Sequence, residues 1–140
     1  EPLELDTAAL GAHLHAASRA RRVAVKLFLM EAGVVVGVGN IYASEALFRA
    51  GIRPGKPAAS LSRPAYVRLA GAVQAVLGEA NAAGGTTLRD FSNSDGLPGY
   101  FAQELNVYAR AGAPCRVCTA PVREQRMGQR STFWCPVCQR

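Results

Sequence analysis

The sequence predicts a mainly α-helical domain followed by a small β-hairpin module, and three observations carry that expectation. An apolar stripe of helical period runs from Tyr66 to Ala80, entry and exit signals bracket shorter helical segments before it, and four cysteines in two close pairs enclose the last strand-like stretch. With 140 residues, 49% of them apolar and 19% charged, the chain can build a core and is too apolar for a disordered tail.

The elements follow in order. Asp6 is placed to cap the free amides of a first helix running to about Ser18, with Leu5 and Leu10 where a hydrophobic staple closes. Arg19, Arg21 and Arg22 form a short basic turn, and Ala24 to Glu31 reads as a second, largely buried helix. Gly37 and Gly39 permit a tight backbone path into a helix from Ile41 to Ala50, which Gly51 and Pro54 end. Ser62 and Pro64 open the long helix, whose apolar face is Tyr66, Leu69, Ala70, Val73, Val76, Leu77 and Ala80, and Gly84-Gly85 stops it. Residues 86 to 106 carry no sustained period and read as a long loop, a length that in a compact domain is functional or mobile. Val107-Tyr108 and Ser131 to Trp134 are β-like and flank the cysteines.

The spacing Cys115-x2-Cys118-x16-Cys135-x2-Cys138 is the most specific signal in the chain. Each Cys-x-x-Cys turn supplies two thiolates and the hairpin between them returns the chain, which is how a tetrahedral zinc site is assembled. Disulfides are the alternative, and the expected reduced compartment disfavours them. Four thiolates fill the coordination sphere, so the expectation is one structural Zn2+ held by Cys115, Cys118, Cys135 and Cys138, with no open position for chemistry.

The net charge of +6 is uneven: residues 110–140 hold six Arg against Glu124 alone. Fourteen of the sixteen basic residues are Arg, with Lys only at 26 and 56, a bias toward binding phosphate rather than amine chemistry. Arg123, Arg126 and Arg130, beside Gly128 and Gln129, are expected at the tip of the cysteine hairpin as a basic finger for DNA or RNA, with a purely structural appendage or a protein-binding knob as the alternative. No stretch approaches a membrane span, because Lys26, Glu31 and several glycines interrupt Val23 to Val38. The start Glu1-Pro2-Leu3-Glu4 has no secretory pattern, so the expected setting is cytosolic.

Several weaker patterns carry their own alternatives. Gly37-x-Gly39 lacks the third glycine and the βαβ unit of a dinucleotide site, and Asp90 to Phe101 lacks the terminal Glu of a calcium loop; both readings are rejected. Asn40 is either a plain helix cap or a phosphate donor at a helix N-terminus. Lys26 is a snorkelling surface residue, a phosphate contact or a buried amine, and spacing does not choose among them. His13 and His15 point to different sides of their helix as surface or packing residues, and Glu45 is expected on an exposed helix face.

Taken together, Ala24-Val25-Lys26, Gly37 to Glu45, Gly84-Gly85-Thr86-Thr87, Gly99 to Leu105, Val107-Tyr108 and the ribbon ending Cys135-Pro136-Val137-Cys138-Gln139 resemble the C-terminal half of the bacterial formamidopyrimidine-DNA glycosylases. The endonuclease VIII branch shares the layout, but Gly-Tyr-Phe-Ala-Gln-Glu-Leu at 99–105 is of the formamidopyrimidine type. The resemblance implies a helix-two-turn-helix DNA-binding domain over 1–83, a lesion-recognition loop over 84–106 and a zinc finger over 107–140. It implies phosphate contacts by Asn40 and Arg130 around a flipped lesion, further contacts by Lys26 and Tyr108, and closure of Thr86, Thr87, Leu88, Arg89, Asp90 and Phe91 over an extruded 8-oxoguanine.

The implied activity is that of a base-excision-repair DNA glycosylase and abasic-site lyase for oxidised purines, acting as a monomer on damaged duplex DNA in the bacterial cytoplasm at the nucleoid. A zinc-ribbon DNA-binding module without an enzymatic parent is the alternative. The family's nucleophile is an N-terminal proline amine in a β-sandwich domain, and Pro2 matches the interdomain linker instead, so the catalytic domain is expected outside this chain and no residue in it is catalytic. Two positions depart from the family pattern, Ala109 and Thr119, each standing where glycine is usual.

Overall fold

The computed structural model describes residues 6–31, 39–82 and 105–140. Its elements are α1 (Thr7–Ser18), α2 (Val25–Met30), α3 (Asn40–Ala50), a 3-10 turn (Ala58–Ser60), α4 (Arg63–Ala82), β1 (Arg123–Met127) and β2 (Arg130–Trp134). The mainly helical domain followed by a two-stranded antiparallel hairpin is the expected architecture. Residues 84–104 of the expected lesion loop, among them Thr86 to Phe91 and the Gly84-Gly85 stop, and Gly37 fall outside the described residues.

Local signals explain most boundaries. The Asp6 carboxylate accepts from the Ala9 N–H at 2.7 Å and caps α1. Ser62 Oγ accepts from the Ala65 N–H at 3.2 Å at the start of α4. Gly51 ends α3 in the left-handed conformation (φ 73°), where a side chain is disfavoured. The second helix is shorter than expected, because Glu31 is already extended. Arg21 reaches across to Glu31 as an ion pair and braces the basic turn against the end of α2.

α1 and α3 both pack on α4, whose stripe of Tyr66, Leu69, Ala70, Val73 and Val76 is buried with Leu10, Leu14, Phe28, Leu29, Ile41 and Leu47. The approach of α1 to α4 is close at Gly11, where an added Cβ would lie 2.7 Å from the Val67 Cα. A second, smaller core of Val107, Val122, Phe133 and the cysteines lies in the hairpin module and takes in Phe48 from α3. His13 is exposed and the His15 ring meets Tyr66 edge-on at 6.2 Å, a packing role as expected.

Candidate metal centre and nucleic-acid interface

The four cysteines converge. Their Sγ atoms all lie within 4.8 Å of one another, with Cys115 to Cys138 at 3.8 Å and Cys118 to Cys135 at 3.4 Å. A tetrahedron of sulfurs about 2.3 Å from a zinc ion has edges of about 3.8 Å, so the cluster fits the metal. Backbone N–H groups of Val117 and Cys138 point at the sulfurs of Cys115 and Cys135 (3.4 and 3.3 Å), an arrangement that stabilises thiolate. Burial pushes the Cys138 thiol up to about 12 and the neighbouring thiols add to it, so gathering four thiolates here requires a cation. The ion is structural: every ligand position is taken by sulfur.

The finger is sewn to the end of α3. The Gln139 side chain, fully buried, donates to the Ile52 carbonyl at 2.9 Å and accepts from the Cys135 N–H at 2.7 Å. The Arg140 N–H adds a bond to the Gly51 carbonyl at 3.0 Å. Arg53 lies over the Trp134 ring at 4.6 Å and donates to the Pro136 carbonyl at 3.3 Å. One end of the helical domain and one knuckle of the finger are therefore joined by direct contacts.

Glu45 corrects the expectation of an exposed face. Its carboxylate is only 2% exposed and accepts from the backbone N–H groups of Asn106, Val107 and Tyr108 at 2.8, 2.9 and 2.9 Å. The segment 106–108 is consequently a turn rather than a strand, its N–H groups being committed to a side chain instead of a neighbouring strand. A signal for this was present in the sequence: α3 is apolar nearly all round, with Arg49 its only other charged residue, and an acid in such a helix needs a buried partner.

Asn40 is not the cap. Gly39 takes that position with an extended backbone, and α3 begins at Asn40 itself. The Asn40 Nδ2 donates instead to the Ser131 carbonyl of β2 at 3.0 Å, tying the N-terminal end of α3 to the hairpin beside Arg130. Lys26 is fully buried in α2, which removes the snorkelling alternative, and its Nζ has no hydrogen-bond partner among the described residues. Burial, then the charge of Arg130, holds its amine down at about 8.

The hairpin leans on this region, since a Cβ on Gly128 would come within 3.0 Å of the Leu27 side chain. Its tip is Gly128-Gln129, both left-handed (φ 53° and 69°), while Arg123 and Arg126 lie on β1 and only Arg130 adjoins the tip. The expected three-arginine tip is thus spread along the hairpin. Tyr108 is half-buried, its ring edge-on to Phe133 at 4.9 Å. Lys26, Asn40 and Arg130 come together from three elements; Tyr108 packs against the finger core, held through Glu45.

Comparison with known proteins gives the same two modules. The family model for the formamidopyrimidine-DNA glycosylase H2TH domain matches residues 1–92, and the model for the zinc finger found in FPG and IleRS matches residues 112–140. Formamidopyrimidine-DNA glycosylase of Alkalilimnicola ehrlichii is 64% identical over 139 residues, covering 99% of this chain and 50% of that protein; the Methylococcus capsulatus protein is 56% identical, covering 99% and 51%.

Among solved structures, MutM (Fpg) of Thermus thermophilus aligns with a TM-score of 0.85 at 41% identity over 99% of this chain and 52% of that one. Lactococcus lactis Fpg in complex with Fapy-dG DNA aligns at 0.80 and 30% identity over 93% and 47%. The chain spans about half the length of the curated relatives it matches. Among the described residues no helix is long and apolar enough to cross a membrane. With the helical domain, the four-cysteine finger and the join between them all matched in order, the chain belongs to the formamidopyrimidine-DNA glycosylase family.

Proposed function

We propose that this chain is the DNA-gripping half of a base-excision-repair glycosylase that removes oxidised purines such as 8-oxoguanine and formamidopyrimidines and then acts as an abasic-site lyase. The observation that carries it is the buried, unpartnered Lys26 amine beside Arg130 and the Asn40 amide. Two cations and an amide gathered with no carboxylate among the described residues suit a phosphate, and an ammonium cut off from water gains most from an anion. Asn40, Arg130 and Lys26 grip phosphates around the extruded nucleotide, Tyr108 adds a contact from the finger, and Thr86 to Phe91 close over the base. Residues 1–83, 84–106 and 107–140 act as the helix-two-turn-helix domain, the lesion loop and the finger.

The chemistry itself belongs to an N-terminal domain preceding this chain. There an amine attacks the sugar C1′ and expels the base, and the resulting Schiff base eliminates the 3′ and then the 5′ phosphate. Zinc supplies no step; it holds the hairpin that carries Arg130. The protein works as a monomer on damaged duplex DNA in the bacterial cytoplasm, a setting supported by the bacterial relatives it resembles.

The test is binding of the zinc-loaded chain to duplex DNA carrying 8-oxoguanine or an abasic analogue, followed over a range of salt. Binding is expected to weaken with a log–log slope of about −0.9 per phosphate neutralised, and Arg130→Ala is expected to make the slope shallower by about one unit. No covalent adduct is expected on borohydride treatment of this chain alone. An unchanged slope removes Arg130 from the phosphate set, and absence of duplex binding removes the reading.

A further inference from the structure

We propose a second phosphate site at the base of the hairpin, built by Arg53 and Arg123 over the Trp134 ring, which grips the duplex backbone away from the lesion. Arg53 enters from the segment after α3 and Arg123 from the first position of β1, and their guanidinium carbons lie 4.6 and 5.9 Å from the same indole centroid. Trp134 is buried and both arginines are exposed. A guanidinium lying on an indole is held in place yet keeps its edge N–H donors free, the state in which it binds phosphate at least entropic cost.

Among the described residues neither arginine is ion-paired, although Arg21 and Arg49 each have a glutamate partner. Two like charges parked on one ring therefore lack a counter-charge among the described residues, and a phosphate is the group whose geometry a pair of guanidinium forks matches. One terminal nitrogen of Arg53, Nη2, donates to the Pro136 carbonyl, which holds the guanidinium in place and leaves its other N–H donors available.

Register gives the distance. Arg123 faces Trp134 at one end of the hairpin and Met127 faces Arg130 at the other, four residues apart along β1. At about 3.3 Å per residue the two ends are roughly 13 Å apart. Phosphates that far apart in a straight line belong to different nucleotides, so the pair would hold another phosphate than the one at Arg130, farther along the backbone. The site rests on the DNA-gripping reading above, and extends the footprint along the flanking duplex.

The experiment uses the zinc-loaded chain and a duplex of about 20 base pairs, two helical turns. Trp134 is the sole tryptophan, so its emission reports on the site directly. Saturating DNA is expected to change that emission, and the double substitution Arg53→Gln, Arg123→Gln is expected to make the salt slope shallower by about 0.9 beyond the loss from Arg130→Ala. Arg123→Gln alone touches no contact between the modules and guards against loss of the fold; it is expected to retain zinc and to weaken binding about threefold to tenfold at low salt. If Arg123→Gln binds as wild type and Trp134 emission ignores DNA while Arg130→Ala still lowers the slope, the second site is overturned and the DNA-gripping reading stands. If the wild-type chain binds no duplex, both fall.

Discussion

The Glu45 carboxylate accepts the Val107 N–H at 2.9 Å inside the protein, in the middle of three consecutive backbone amides that it collects. The contact fixes where the chain enters the finger, because Val107 belongs to the finger core and the preceding Leu105 to the helical core. Glu45→Ala leaves a buried amide without a partner and is expected to cost about 2–4 kcal/mol in urea unfolding followed by Trp134 fluorescence. Glu45→Gln, which turns one acceptor into a donor facing donors, should recover only part of that loss. Stability within a few tenths of wild type for Glu45→Ala would show that the amides find water instead.

The helices were legible because each rests on a local cause: Asp6 for α1, Gly51 for the end of α3, the Tyr66 to Val76 stripe for α4. The metal cluster was legible because its ligands are fixed in type and spacing. What stayed hidden depends on contacts far apart in the chain. Glu45 reaches amides 61 to 63 positions away, Gln139 bonds a carbonyl 87 positions away, and Asn40 spends its amide on Ser131, 91 positions away. No local pattern carries such pairings. Of the three readings of Lys26, the snorkelling one was likewise excluded only by burial, which depends on α2 lying beneath the hairpin.

Zinc removal is expected to unfold the finger while α1, α3 and α4 persist. The finger's own core is small, and a structural zinc site contributes roughly 10–16 kcal/mol of apparent binding free energy. Metal analysis should find one zinc per chain, lost in Cys115→Ser or Cys135→Ser. Chelation should change Trp134 emission with most helical circular dichroism retained. A finger that stays ordered after chelation would contradict the metal assignment.

Ala109 and Thr119 both adopt left-handed backbone conformations, φ 62° and 66°, at the two positions where glycine was expected from the resemblance. An L side chain there costs about 1–2 kcal/mol, more severely for the β-branched Thr119. After the extra chain entropy that glycine loses on folding, Thr119→Gly is expected to stabilise by about 1 kcal/mol and Ala109→Gly by somewhat less. Thermal unfolding of the zinc-loaded variants checks both. A lower midpoint for Thr119→Gly would mean that its side chain makes compensating contacts.

Two helical glycines should respond in opposite directions to the same change. Alanine is the better helix former by about 1 kcal/mol, and an added Cβ on Gly78 in α4 meets nothing within 4 Å. Gly78→Ala should therefore stabilise by about 0.5–1 kcal/mol. At Gly11 the same Cβ lies 2.7 Å from the backbone of Val67, so α1 and α4 must separate. Gly11→Ala should destabilise by about 1–3 kcal/mol despite its better propensity. Equal shifts of the two denaturation midpoints would show that the helix pair is not in close contact.

Lys26 sets stability against binding. Its folded amine is held down at about 8 by burial and then by Arg130, while the unfolded chain keeps an ordinary lysine near 10.5. Between these values the unfolded state binds more protons, so stability without DNA should rise as pH climbs from about 8 toward 10.5. Replacing the amine with an apolar chain of similar length removes the burial cost: Lys26→Met should stabilise the free chain at neutral pH by about 1 kcal/mol or more and abolish that pH dependence. Binding should show the opposite sign. A phosphate needs the ammonium, so duplex affinity should fall as pH rises through about 8, approaching tenfold per unit, and Lys26→Met should be weak and flat across the range. If Lys26→Met binds duplex as tightly as wild type at neutral pH, its amine does not meet a phosphate.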